Sequence, residues 1–320
     1  MTAATEATAA LACAVLDEIE RAVVGKREAL TFVLLGVLAR GHVLIEDLPG
    51  LGKTLIARSF ATVLGLGFTR VQFTPDLLPA DLLGTTVYEQ HTGRFEFRRG
   101  PVFTNLLLAD EINRTPPKTQ AALLEAMAEG QVSMDGESHP LPEPFIVLAT
   151  DNPIEYEGTY PLPEAQLDRF TLRIRLGYLT EADERRMLRR RLDRGSVPPA
   201  LRPVTAPAEL LAMRESVESI TVHPDVVGYV VALANATRAH PKVLVGVSPR
   251  AELDLVQLIR ARALLAGRDY VILEDVKALV SACWAHRTSL RPEMWVRRVR
   301  SEQVIDELLH KVPTPRVGPA

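Results

Sequence analysis

Five short runs in the first half of the chain have the pattern of strands: residues 42–46 (HVLIE), 68–72 (FTRVQ), 106–110 (LLLAD), 145–149 (FIVLA) and 171–176 (TLRIRL). Most are apolar at consecutive positions, as strands covered by helices on both faces require. Residues 28–40, 53–64 and 118–129 repeat their apolar positions at helical spacing between those runs. Strand, helix, strand repetition predicts a parallel α/β sheet. Two segments break the rhythm. Residues 86–99 carry two extended pieces around a His-Thr-Gly turn, and 131–142 (QVSMDGESHPLP) carry an Asp-Gly turn, so each predicts a β-hairpin inserted on the α/β core.

Beyond residue 178 the pattern changes. Residues 181–193 form a charged helical stretch, 194–207 are proline-rich and irregular, and 208–217, 224–238, 249–266 and 274–287 all have helical periods. The division predicted is an α/β domain over 1–178, a small all-α domain over 179–310, and a disordered tail over 311–320.

Composition narrows the classes. Hydrophobic residues make up 47% and charged residues 24%, which is ordinary globular composition. The net charge of −3 gives no whole-protein field toward nucleic acid or anionic lipid, so no nucleic-acid partner is expected. The arginines of 185–194 are interleaved with acids at ion-pairing spacings and predict a solvated helix. No run of 18 apolar residues occurs, the N-terminus lacks a basic signal region, and a cytoplasmic protein without a membrane span is the expectation. The two cysteines, Cys13 and Cys283, lie in apolar helical contexts and are expected to be buried or half-buried thiols. The seven histidines show no metal-ligand spacing.

The chemistry concentrates in five places. Pro49, Gly50, Leu51, Gly52, Lys53 and Thr54 lie between an apolar strand and a helix, with Leu55 next in that helix. Small residues there let backbone N–H groups converge on a phosphate chain at a helix N-terminus. Lys53 would meet the β- and γ-phosphates, and the Thr54 hydroxyl would hold magnesium. Asp47 stands where the usual pattern begins with glycine. Asp110 and Glu111 end the run LLLADE, the first suited to hold magnesium through water and the second to polarise an attacking water. Asn152, after the next strand, can orient that water without adding charge, and Asp151 is a weaker candidate. Arg169, just before the last strand, either pairs with Asp168 or reaches a neighbouring subunit's nucleotide, where such an arginine gives ~10³–10⁵ in rate. Arg250 follows Pro249 in the first turn of a helix. A cation there opposes the helix dipole, which points to an anion that compensates it.

Together the segments EDLPGLGKT, QFTPDLLPADLLG, RRGPVFTNLLLADEINRTPPKTQAALLEAM, NPIEYEGTYPLPEAQLDRF and GVSPRA resemble the MoxR family of AAA+ ATPases, over about residues 20–290. That resemblance implies a five-stranded α/β P-loop domain with hairpin inserts, a helical lid, ATP and Mg2+ as cofactors, and a homo-oligomeric ring, usually a hexamer. It places Lys53 and Thr54 on the phosphate loop, Asp110 and Glu111 on the magnesium and catalytic acids, and Asn152 on the first sensor. Arg169 falls on the arginine finger, Arg250 on the second sensor, and Val24 and Gly25 on the segment beside adenine. Asp151 and Tyr156 stand where glutamine is expected. A lone chain is expected to have no positive group across the γ-phosphate from Lys53. The family implies a chaperone-like motor that remodels client proteins or assists metal-cofactor insertion, often with a von Willebrand factor A domain partner. A nucleic-acid-directed motor and a chelatase subunit are the alternatives; the charge balance counts against the first, and the run TYPLPEAQLDRF fits the second less well.

Overall fold

The computed structural model describes residues 3–91, 93–153, 158–197 and 199–315. Two helices open the chain, α1 (Ala3–Glu20) and α2 (Arg27–Leu38). The sheet-forming part follows as β1 (Val43–Glu46), α3 (Lys53–Val63), β2 (Phe68–Gln72), α4 (Pro79–Leu83), the hairpin β3 (Gly84–Glu89) and β4 (Arg94–Arg99), and β5 (Leu106–Asp110). Then come α5 (Pro117–Glu129), the hairpin β6 (Gln131–Met134) and β7 (Glu137–Pro140), β8 (Ile146–Asp151), α6 (Glu164–Leu167) and β9 (Leu172–Ile174).

Strands β2, β5, β8, β1 and β9 form one parallel sheet in that spatial order. Side chains alternate across it. Val43, Ile45, Leu106, Leu108, Ile146 and Leu148 join one apolar core, and Leu44, Leu107, Ala109, Val147 and Ala149 join the other. Burial on both faces is why these runs read as unbroken apolar stretches. The last strand is shorter than its run: the N–H groups of Leu176 and Gly177 bond to the Asp47 carboxylate instead of to a neighbouring strand.

Both inserted hairpins form where the sequence places them. Asp135 and Gly136 take positive φ of 52° and 84°, as a tight Asp-Gly hairpin turn needs. Thr86 donates to Asp135 at 2.6 Å and the Phe97 ring stacks on His139 at 4.1 Å, so the two inserts touch.

The second half comprises α7 (Glu181–Arg194), α8 (Pro207–Glu218), α9 (Pro224–Ala239), β10 (Val243–Val245), α10 (Pro249–Leu265), α11 (Leu273–Trp284), β11 (Ser289–Leu290), α12 (Pro292–Val296) and α13 (Ser301–Lys311). Among its described residues it is helical apart from the short antiparallel ladder of β10 and β11 and an isolated bridge between Thr221 and Tyr270. Helix α7 buries none of its residues, and Arg185 and Arg186 pair with Glu181 and Asp183 on the same helix. The N-terminal helix α1 packs on α3, α8 and α10, so one apolar core runs from the sheet face into the helical half. The last helix reaches Lys311, inside the stretch expected to be disordered, and residues 316–320 lie outside the described residues. Cys283 is buried, its thiol pushed up to about 12 by burial, whereas Cys13 is exposed, against the expectation for both thiols. Cys13 lies on the outer side of α1, where helical context alone does not decide burial. Among the described residues, no helix is long and apolar enough to cross a membrane.

Candidate nucleotide site

A cleft of about 380 Å³ at the C-terminal ends of the strands is lined by Pro49, Gly50, Gly52, Lys53, Thr54, Arg70, Asp110, Glu111, Thr150 and Asn152. Crevices at this end of an open parallel sheet are where such folds bind ligands. Gly50 and Gly52 have φ of 82° and 90°, and a Cβ on either would meet nothing within 4 Å. Glycine is therefore needed for the turn itself. Helix α3 begins at Lys53, so its unpaired first N–H groups and its positive dipole end face the cleft. The Lys53 ammonium donates to the backbone carbonyls of Asp47 and, at 3.2 Å, Asp151. Burial lowers its pKa, and the charges of Asp47, Asp110, Asp151 and Glu111 counter that shift.

The two acids are held differently. The Thr150 hydroxyl donates to Asp110 Oδ1 at 2.6 Å, and Arg70 donates from Nε and Nη2 to Asp110 Oδ2 at 3.0 and 2.7 Å. Glu111 is in the left-handed region, with φ 57° and ψ 53°, unusual for a residue with a side chain. That turn ends the strand and leaves the Glu111 side chain lining the cleft. Its backbone N–H is received by Thr150 Oγ1 at 2.8 Å. Gln72 and Arg114 donate to Glu111 Oε2 at 2.7 and 3.0 Å. Asn152 is buried at the end of β8, and its carbonyl accepts from Asn113 at 3.4 Å.

The donor set suits a magnesium nucleotide. Thr54 and Asp110 offer hard oxygens, glycines line the entry, and a lysine and a helix N-terminus face the same space. Arg70, Gln72, Arg114 and Thr150 were not legible as site residues. Arg70 and Gln72 are polar at period two in one strand, but what makes them site residues is the pairing of Gln72 in register with Asp110, which only the sheet creates. Arg70 is a second cation lining the cleft of its own chain, which the expectation of no positive group across the γ-phosphate from Lys53 did not include.

Asp47 has a use that glycine could not serve. Its carboxylate receives the N–H groups of Leu48, Leu176 and Gly177 at 2.8, 2.6 and 2.7 Å. From the other side, the Lys26 ammonium donates to the carbonyls of Leu176, Gly177 and Tyr178. The start of the phosphate loop is thereby clamped to the passage between β9 and α7. Val24 and Gly25 precede this clamp. Val24 is buried and Gly25 has φ 67°, with Asp183 2.6 Å from where its Cβ would stand. Gly25 lines a separate cavity of about 400 Å³ with Ile174, Leu176 and residues of α11. Leu55 is 40% exposed on α3 and does not line the phosphate cleft.

Arg169 and Arg250 stand at the opposite end of the sheet. Thr171 donates to the carbonyl of His42, just before β1, whereas the phosphate loop follows the far end of that strand. Arg169 Nη1 donates to the carbonyl of Ala165 at 3.1 Å, and its Nε is buried without a partner. Asp168 does not hold it: that carboxylate takes Ser248 at 3.1 Å and faces Arg287 at 3.6 Å. The Phe170 carbonyl accepts from Arg287 at 2.8 Å and lies 2.7 Å from His286 Nε2. Ser248 starts the turn that carries Arg250, so both arginines share one corner between lid and sheet. Asp151 lies beside Glu46 in register, and burial and then the Glu46 charge raise its carboxyl pKa. Tyr156 lies outside the described residues.

A parallel five-stranded sheet with a phosphate loop after one strand, paired acids after the next but one, and a helical lid defines an AAA+ ATPase. The profile of the ATPase family associated with various cellular activities (AAA) matches residues 42–172, and that of the AAA lid domain matches 235–308. The chain is 43% identical to chaperone MoxR1 of Mycobacterium tuberculosis, over 94% of this chain and 81% of that protein. It is 45% identical to the uncharacterized protein YeaC of Bacillus subtilis, over 94% of this chain and 93% of that one. A crystal structure of a Cytophaga hutchinsonii protein superposes with a TM-score of 0.91 at 39% identity, over 98% of this chain and 97% of that one. The chain belongs to the MoxR family of AAA+ ATPases.

Proposed function

We propose that this chain hydrolyses ATP with magnesium in a closed ring of its own copies, a hexamer by family resemblance, and uses the cycle to remodel or mature client proteins. The observation that carries the hydrolytic part is the convergence of Lys53, Thr54, Asp110, Glu111 and Asn152 on one cleft. In this reading Thr54 and Asp110 would hold magnesium, which when bound would supply screening of the phosphate charge. Lys53 leaves its backbone carbonyls for the β- and γ-phosphates. Glu111 takes up the hydrogen bond of the attacking water, and Asn152 orients that water. Arg169 and Arg250, at the far end of their own sheet, serve a neighbour's nucleotide rather than their own. Residues 1–178 act as the hydrolytic domain and 179–310 as its lid. The chaperone role is suggested by the name of the Mycobacterium relative. A von Willebrand factor A domain partner, metal-cofactor insertion into clients and a cytoplasmic site of action complete the proposal on family resemblance.

The test pairs two variants. Glu111→Gln keeps nucleotide affinity and loses roughly 10²–10⁴ in turnover, because only water activation is removed. Lys53→Ala loses affinity itself. A Glu111→Gln protein that hydrolyses ATP at the wild-type rate refutes the assignment of the catalytic acid.

A further inference from the structure

We propose that Arg70 is the resident cation of the phosphate cleft: it neutralises Asp110 until magnesium arrives with the nucleotide, and then turns its guanidinium to the terminal phosphate. The proposal rests on the magnesium-nucleotide reading of the cleft and adds a residue to it. Four observations carry it.

Arg70 grips Asp110 with two donors on one carboxylate oxygen, at 3.0 and 2.7 Å. Its side chain is 47% exposed and lines the cleft, so this is not a pair locked in the core. Thr150 donates to the other Asp110 oxygen, so both oxygens carry a donor, and a metal that draws on this carboxylate meets the positive charge of Arg70 beside it. Thr150 is neutral, and it also receives the Glu111 N–H, which ties it in place. Arg70 is the partner that a divalent charge displaces, because two cations at one carboxylate repel and the metal carries the larger charge. The strand order then decides where the freed guanidinium goes. β2 lies three strands from β1, about 14 Å across the sheet at ~4.8 Å per strand. Arg70 therefore approaches the cleft from the side opposite Lys53, and a phosphate between them meets a cation on each flank.

Displacement also touches the catalytic acid. Arg70 Nη2 donates to Gln72 Oε1 at 2.9 Å, and the Gln72 amide donates to Glu111 Oε2 at 2.7 Å. With Arg70 on Asp110, the Gln72 amide is oriented with its N–H toward Glu111.

The experiment measures affinities of the full-length protein for fluorescent ADP and ATP analogues, in excess magnesium and in EDTA. For Arg70→Gln, ADP affinity falls roughly tenfold in EDTA, because Asp110 then repels the phosphates, and stays within about threefold in magnesium, which replaces the lost charge. ATP affinity in magnesium falls roughly tenfold, because only ATP has the phosphate that Arg70 contacts. Arg70→Lys keeps the charge and retains most of the ADP affinity in EDTA. Melting without nucleotide establishes that each variant is folded. Equal losses in all four conditions make Arg70 structural and overturn the proposal. Unchanged ADP affinity in EDTA, or unchanged ATP affinity in magnesium, overturns it as well. A wild-type protein that binds neither nucleotide refutes the reading of the cleft instead.

Discussion

Asp47 Oδ2 receives the backbone N–H of Gly177 at 2.7 Å, which ties the first residue of the phosphate loop to the chain leaving the last strand. A nucleotide that moves this loop therefore also pulls on the passage that leads to α7.

Replacing Asp47 tests that coupling as stability. Asp47→Ala leaves the N–H groups of Leu176 and Leu48 without their acceptor, as well as that of Gly177. The cost expected is about 2–4 kcal/mol, read by urea denaturation. Lys26 grips the carbonyls of the same residues, so the Asp47→Ala and Lys26→Ala losses should not add. Additive losses mean that the two side chains act independently.

A buried histidine sets an acid limit. His42 Nδ1 receives the Val147 N–H at 3.0 Å, and its Nε2 lies 3.3 Å from the Met127 carbonyl. Burial pushes its pKa down to about 4; the Arg214 and Arg250 charges add to that, while the Met127 bond opposes it. A depressed folded pKa means that the stability is present above the ordinary value of 6.5 and is lost as pH falls toward 4. The loss is on the order of 3 kcal/mol for this group. Denaturation midpoints measured from pH 7 to 4.5 should fall less steeply in His42→Gln than in the wild type.

Asp151 has the opposite sign. Its carboxyl is raised above the ordinary value of 3.8, first by burial and then by Glu46, while the Asn152 N–H, Lys53 and Arg173 counter the shift. Its Oδ1 is buried without a hydrogen-bond partner. The wild type therefore loses stability as pH rises from 3.8 through the raised value. Asp151→Asn does not titrate there, so its stability relative to the wild type should increase between pH 4 and pH 7. A constant difference across that range would show that the carboxylate is not strained.

Much of the sheet and the phosphate loop was legible in one dimension. Strands buried on both faces show as apolar runs, and the Asp-Gly turn and the phosphate loop announce themselves because few residues can take their backbone angles. What pairing across strands creates was not legible. Arg70 is ordinary strand sequence until β2 lies beside β5 and brings it to Asp110. Asp47 read as a departure from a pattern because its partners lie 129 and 130 residues away. The sequence left Arg169 either paired with Asp168 or reaching across an interface; the chain directs Asp168 to the lid and leaves Arg169 apart from it. The end of the sheet at which Arg250 sits follows from long-range contacts such as Ser248 with Asp168 and Arg287 with the Phe170 carbonyl, which no spacing encodes.

That corner is why we propose that a neighbouring copy completes the hydrolytic site. Arg169 and Arg250 lie away from the cleft that holds Lys53 and Glu111 in the same chain. Glu111→Gln and Arg169→Ala should each be inactive alone. The most direct measurement is the ATP turnover of the two variants mixed, with co-assembly shown by a tag on one of them. In a mixed ring, some interfaces pair an intact Glu111 cleft with an intact Arg169, so turnover should return in part. Mixed rings that form and stay inactive would rule out a site completed by Arg169 of a neighbour, and Arg169 would then act within its own chain or not at all.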